Sequence, residues 1–261
     1  MINLSDIFSG LEDLGFKNVK LNIFEKEEEN KKEVEIKNKT VDTFLYEKTM
    51  LCPVCNTEFK TKALRNGKTR RVGSDTDLMP IYQGPNPLFY DVHICPSCGY
   101  SALNQYFEKV KQEQALLIKS VITPKFRPKN YPEVYDENIA IERYKLALLN
   151  AVVKKAKSSE KAFICLKIAW MYRLLQNNSE ERKFLEQAYV GFKESFEREA
   201  FPICGMDNYT LSYLIGELAR RLGDNDEALL WFSKVIVTPG VNPRLKEMAR
   251  DQKDLIKENA L

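Results

Sequence analysis

Residues 51–56, Leu51-Cys52-Pro53-Val54-Cys55-Asn56, and residues 93–100, His93-Ile94-Cys95-Pro96-Ser97-Cys98-Gly99-Tyr100, decide how this chain starts to fold. Each stretch carries a Cys-x-x-Cys pair, with 39 residues between the two pairs. Two residues between ligands let a tight turn aim both sulfurs at one ion while backbone N–H groups point at the thiolates. Pro53 and Pro96 pre-set the φ of that turn, and Gly99 can take the positive φ that ends it. Four thiolates at about 2.3 Å around a tetrahedral ion describe a structural zinc site, with no position left for a catalytic water. Cys52, Cys55, Cys95 and Cys98 are therefore the expected ligands of one structural Zn2+. Such a site contributes about 10–16 kcal/mol of apparent binding free energy, which in a small β unit is folding energy.

Other uses of the cysteines compete with zinc. A rubredoxin-like iron site employs the same knuckles and is the alternative metal. Against it, Asn56 and not glycine follows the first pair, and few aromatic residues shield the centre. A thioredoxin-like redox site needs a strand-to-helix setting and a single pair. Disulfides are disfavoured by compartment: the start, MINLSDIFSGLEDLGF, carries acids where a signal peptide carries Lys or Arg. No apolar run approaches the roughly 20 residues of a spanning helix, so the expected location is cytoplasmic, with reduced thiols. His93, the single histidine, reads as a strand side chain beside a site that four cysteines already complete. One histidine also excludes catalytic devices that need two. Cys165 and Cys204 read as small buried apolar residues.

Working outward from the pairs, Tyr90, Val92 and Ile94 alternate into the second one, a strand signal. The segment 58–71, EFKTKALRNGKTRR, has six basic residues against one acid. It alternates Phe59, Thr61 and Ala63 with polar positions and turns at Asn66-Gly67, a hairpin dipeptide. Pro80, Gly84, Pro85 and Pro87 mark an irregular loop. Residues 49–110 thus read as a β-rich, zinc-ribbon-like module. From about 111 to the end, 111–261, the pattern is helical throughout. Segment 212–240 places Gly216, Ala219, Gly223, Ala228, Phe232 and Pro239 near the small, aromatic and terminating positions of a tetratricopeptide repeat, with Gly223-Asp224-Asn225 as the turn. A weaker copy runs through Leu166, Ala169, Trp170, Tyr172 and Leu175 into 180–196. A half-copy holds Ala140, Tyr144, Ala147 and Leu148, and 242–258 reads as a capping helix. Residues 1–48 form a small mixed leader. Leu4, Ile7, Phe8, Leu11 and Leu14 fall at helical spacing before Gly15, and strand signals follow at 19–23 and 34–36. The expected fold class is α+β: a small β-rich zinc-ribbon-like module followed by an all-α tetratricopeptide-like domain.

Composition narrows the function classes. The 261 residues hold 40 Lys+Arg against 37 Asp+Glu, a net charge of +3. That balance excludes the one-sided field of a nucleic-acid coat or a polybasic membrane binder. Apolar residues at 44% with 30% charged suit a soluble folded chain and not disorder. Gly67-Lys68-Thr69 resembles the end of a phosphate-binding loop, but Lys62 stands where its first glycine belongs. No Gly-x-Ser-x-Gly or His-Glu-x-x-His motif occurs. Asp75-x-Asp77 is a candidate second site for a divalent cation, or the base of an enzyme cleft between ribbon and repeats. A turn that hydrogen-bonds its own backbone is the plainer reading. Lys60, Lys62, Arg65, Lys68, Arg70 and Arg71 are candidate nucleic-acid contacts, although stacking aromatics are sparse around them. Trp170, Tyr172, Tyr209, Tyr213, Trp231 and Phe232 are assigned mostly to the repeat core, with some on a concave peptide-binding face.

The runs LCPVCNTEFKTKALR (51–65) and SDTDLMPIYQGPNPLFYDVHICPSCGY (74–100) resemble the bacterial domain-of-unknown-function family 2225. The carriers are Cys52, Pro53, Cys55, Asp75-x-Asp77, Tyr82, Asn86-Pro87, Tyr90, Cys95, Pro96 and Cys98-Gly99-Tyr100, and the resemblance spans about 45–255. Ser74 and Leu78-Met79 depart from the Arg and the aromatic stretch expected there. The resemblance implies the fold and the zinc and supplies no activity. Together these observations predict a cytosolic, non-enzymatic scaffold whose helical repeats bind a protein or peptide partner.

Overall fold

In the computed structural model, which describes residues 10–15 and 44–258, strands β1 (Leu45–Leu51) and β2 (Glu58–Leu64) form an antiparallel ladder closed by the first cysteine pair. The leader helix and strands expected within 1–9 and 16–43 lie outside the described residues. Strands β5 (Val92–Ile94) and β6 (Ser101–Leu103) form a second ladder, closed by the second cysteine pair. Between them β3 (Arg70–Ser74) and β4 (Pro80–Gln83) make a third ladder.

The basic segment 58–71 is not the hairpin expected from Asn66-Gly67. The turn is present, with Lys68 N–H donating to Arg65 O and Gly67 at φ 75°, but β2 pairs back onto β1 and β3 pairs forward onto β4. The cysteine bend at 52–57 joins β1 and β2 as neighbours. Asn66-Gly67 is left to link two ladders.

Eight helices follow among the described residues: α1 (Asn104–Phe107), α2 (Gln112–Val121), α3 (Glu137–Val153), α4 (Ser158–Leu174), α5 (Asn178–Arg198), α6 (Asn208–Leu222), α7 (Asn225–Val237) and α8 (Pro243–Glu258). No helix there is long and apolar enough to cross a membrane. Residues 122–136 interrupt the helical pattern. Pro124, Pro128 and Pro132 remove backbone donors and push their preceding residues out of the helical region. From α3 onward the ends follow local chemistry. Asp136, Asn177, Asp207 and Asp224 cap α3, α5, α6 and α7 by accepting from N–H groups of the first turn. Gly223, left-handed at φ 89°, ends α6. Gly216 lets α6 and α7 approach closely, since a Cβ there would lie 3.0 Å from Trp231 Cβ and Phe232 Cε1.

Helices α3 to α8 pack each on the next in chain order, and α3 also lies against β5 and β6. Eleven of its 17 residues are buried, so it is covered on all sides and joins the β region to the helical layer. The three ladders have two strands each, and such ladders are marginal alone in water. Here one apolar cluster runs without a break from Leu11 and Leu14 through Met50, Phe59, Tyr100 and Phe107 to Leu148, Trp170 and Leu218. A second, smaller cluster lies between α6, α7 and α8, around Tyr213, Phe232, Val235 and Ile256. Glu12–Leu14 form a short 3-10 turn ended by Gly15 at φ 93°, and Arg127 N–H donates to Leu14 O.

Candidate metal centre

The two cysteine bends are built alike. In the first, Cys52 N–H donates to Thr57 O, Asn56 N–H donates to Cys52 O, and Asn56 takes φ 58°. In the second, Cys95 N–H donates to Tyr100 O, Gly99 N–H donates to Cys95 O, and Gly99 takes φ 74°. Asn is one of the few residues that tolerates the left-handed region, so Asn56 does at the first bend what Gly99 does at the second.

The Sγ atoms of Cys52, Cys55, Cys95 and Cys98 lie within 4.8 Å of one another. A tetrahedral ion holding four sulfurs at about 2.3 Å has sulfur–sulfur edges of about 3.8 Å. The Cys52–Cys98 and Cys55–Cys95 separations are both 3.6 Å. The four residues can therefore hold one metal ion with little movement, and all six cysteines of the chain are free thiols. Cys52, Cys95 and Cys98 are buried and Cys55 is half-buried. Hydrogen bonds with Cys52 and Cys98 hold the Cys95 thiol well below its ordinary range, helped by the N–H groups of Cys98 and Ser97. The Cys52 thiol is pushed up to about 12 by its contact with Cys95, while the N–H groups of Cys55 and Val54 pull it down. One bound cation removes this competition by taking all four as thiolates.

His93 stands outside the cluster. Its Nε2 lies 3.0 Å from Asn104 Oδ1 and its Nδ1 3.4 Å from Thr61 Oγ1, with the ring edge-on to Phe107. Burial lowers its pKa, which keeps the imidazole neutral inside the β region.

The second bend is fastened to the helices by residues whose role the sequence pattern concealed. Asn150, fully buried on α3, donates from Nδ2 to Gly99 O and Ser101 Oγ. Thr123 Oγ1 donates to Cys98 O. Arg143 and Tyr144 donate to Val92 O and Leu88 O. A polar residue inside an otherwise apolar helix face, such as Asn150 amid Leu146–Leu149, is the signal that could have found them. Gly99 is fixed twice over, because a Cβ there would also sit 2.4 Å from Phe126 Cγ. Gly99→Ala is expected to cost about 2–5 kcal/mol from the left-handed backbone and the overpacking together. At Gly67, also left-handed but with nothing within 4 Å, alanine carries the backbone cost alone, roughly 1–2 kcal/mol. Thermal unfolding of the two variants side by side checks the difference, and equal losses would refute the Phe126 contact.

Asp75 and Asp77 occupy the β3–β4 turn, which reaches onto the helical layer. Asp77 is fully buried and accepts from Arg173 Nη2 at 2.6 Å, Arg173 Nη1 at 3.0 Å and Trp170 Nε1 at 2.9 Å. Asp75 accepts from Arg173 at 2.6 Å and Arg221 at 2.9 Å. Between them Thr76 Oγ1 donates to Glu217 Oε1, and Tyr213 donates to Thr76 O. Two guanidinium groups thus stand where a cation would have to sit, and the pair clasps the β3–β4 ladder to α4 and α6.

The six basic residues of 60–71 are spread over β2, the linking turn and β3. Lys60 pairs with Glu47 at 2.6 Å, and Lys62 lies 3.8 Å from Glu133. Arg65 donates to Leu45 O and Arg71 to Gly73 O. Lys68 and Arg70 are exposed. Of the aromatic set, Trp170, Tyr213 and Phe232 are buried, while Tyr172, Tyr209 and Trp231 are half-buried.

No curated protein and no solved structure matches the chain. A family model described as an uncharacterized protein conserved in bacteria, DUF2225, matches residues 45–256. That span takes in both cysteine bends, the Asp75–Asp77 clasp and the helical layer, and the chain belongs to this family.

Proposed function

We propose that this chain is a zinc-stabilised, non-enzymatic scaffold of the cytoplasm. Its ribbon (49–110) braces a tetratricopeptide-like helical domain (111–261), and that domain binds a protein or peptide partner. One Zn2+ on Cys52, Cys55, Cys95 and Cys98 would supply rigidity and no chemistry, because four thiolates fill its coordination. The observation that carries the reading is the pair of matched bends, which bring four sulfurs within 4.8 Å of one another, the second bend being hydrogen-bonded to α3. The candidate cleft carboxylates, Asp75 and Asp77, are engaged by Arg173 and Arg221, which favours a structural role over acid–base work. The paired helices α4–α5 and α6–α7 support the repeat assignment. Exposed Leu230 and Val237 on α7 offer apolar surface for a partner.

Elemental analysis of the native protein tests the metal: about one zinc per chain is expected. Iron in its place would make the chain an electron-transfer or redox-sensing protein. Quantitative co-purification compares the wild type with Leu230→Glu/Val237→Glu. A partner lost only in the double variant supports the scaffold, and an unchanged partner set removes α7 from it.

A further inference from the structure

Between the β1–β2 ladder, the second cysteine bend and residues 126–135 lies a cleft of about 170 Å³, lined by Lys60, Lys62, Lys129, Tyr131, Tyr135 and Arg143 among others. It is smaller than the roughly 300–1,000 Å³ sites that take drug-sized ligands, so its occupant is small.

Arg143 sets its character. Only 4% of this residue is exposed, yet it forms no ion pair among the described residues. Nη2 donates to Val92 O at 2.6 Å, and the buried Nε has no hydrogen-bond partner. The guanidinium carbon lies 4.6 Å from the Tyr135 ring centroid and 5.1 Å from that of Tyr131. These rings fix the plane of the charge and supply no counter-ion. A buried charge without a counter-charge is costly.

The lysines around it differ in how firmly they are held. Lys60 pairs with Glu47, and Lys129 pairs with Glu142 and Asp13. Among the described residues Lys62 forms an ion pair with Glu133 alone, at 3.8 Å and with 84% of that side chain exposed, and it also feels Glu47, which Lys60 holds. Two cations, one buried and one loosely held, therefore share a cleft whose lining carboxylate, Glu47, is already taken by Lys60 at 2.6 Å.

We infer that this cleft is a phosphate-binding site, taking a free phosphate or a small phosphate monoester on Arg143 and Lys62. A phosphate monoester carries about −1.5 to −2 near neutral pH, which matches two cations where a carboxylate matches one. Lys60 and Lys129, already paired, border the mouth and favour approach of an anion. The occupant is a small molecule, because the tyrosine faces that would stack a nucleobase already hold Arg143 and, for Tyr135, Tyr90 at 4.8 Å.

Calorimetric titration of the full chain with inorganic phosphate, at low ionic strength and pH 7.5, tests the site. Saturable binding at one phosphate per chain is expected, weakened roughly tenfold or more in Lys62→Gln. Lys62 is partly exposed, so its variant should melt with the wild type. Arg143→Lys keeps the charge, loses the planar donor set and is expected to bind more weakly still. If Arg143→Lys fails to fold, Lys62→Gln decides alone. Absence of saturable binding, or equal binding by wild type and Lys62→Gln, overturns the inference. A single-stranded oligonucleotide titrated in parallel separates the sources. If it binds through Lys62 where phosphate does not, the site belongs to nucleic acid and the small-molecule assignment falls.

Discussion

Cys98→Ser is expected to lose the metal and to unfold residues 44–107 cooperatively, whereas Cys165→Ser should remain folded with its metal. Both cysteines are buried, at 2% and 0% exposure, so burial alone does not separate them. The difference is what each sulfur touches. Cys98 lies 3.6 Å from Cys52 in the cluster, and a serine there removes one of four ligands from a site worth about 10–16 kcal/mol of apparent free energy. Cys165 packs inside α4 among Leu166, Ile168 and Ala169. A serine at 165 buries a hydroxyl that can donate to a carbonyl one turn back, at a cost of about 1–2 kcal/mol. Thermal melts with paired metal analysis, with and without a chelator, check this. Chelator should shift the wild type and Cys165→Ser and leave Cys98→Ser unmoved. Coincident melting curves for the two variants would sink the metal assignment.

The second large effect is expected at the clasp. Arg173→Met should destabilise the chain by about 3–5 kcal/mol, the usual cost of leaving a buried charge without its partner. The side chain of Asp77 is fully buried. Without Arg173 it keeps the Trp170 indole N–H at 2.9 Å and has Arg221 only at 4.0 Å. Asp77→Asn combined with Arg173→Met removes both charges and should recover part of the loss. A double-mutant cycle by denaturant unfolding reads the coupling, and additive losses would show that the pair is incidental. The clasp also has an acid limit. Burial raises the carboxyl of Asp75, but the Thr76 N–H and the guanidinium groups of Arg221 and Arg173 outweigh it and hold its pKa below the ordinary value. A carboxyl depressed in the folded state contributes stability that is complete above its unfolded value, near pH 4. That stability is lost as pH falls through the lower folded value. Acid unfolding should therefore begin below about pH 4, and Arg221→Gln should move the onset upward.

Much of this molecule was legible because the signals are local. A Cys-x-x-Cys pair with proline inside it specifies a bend from six residues, and both bends formed where the spacing placed them. Gly223 ending α6 and Gly216 against Phe232 follow from the same short-range geometry. The Asn66-Gly67 hairpin failed for the complementary reason. The dipeptide fixes a turn, but which strands pair across it depends on competition with the cysteine bend 10 residues earlier.

The sequence by itself determined the four-cysteine set, the helical second half and the absence of a one-sided charge field, since each rests on residue type and near spacing. Only the tertiary structure decided the rest. It placed Arg173 and Arg221, 96 residues from Asp77 and 146 from Asp75, onto a turn that read as a carboxylate pair. It hydrogen-bonded Asn150 to Gly99 O, and it left Arg143 buried in the cleft that Lys62 lines, without an ion pair among the described residues. Partners of this kind come together only when α3, α4 and α6 pack. A buried ion pair is specified by what surrounds it in space, and no periodicity along the chain records that.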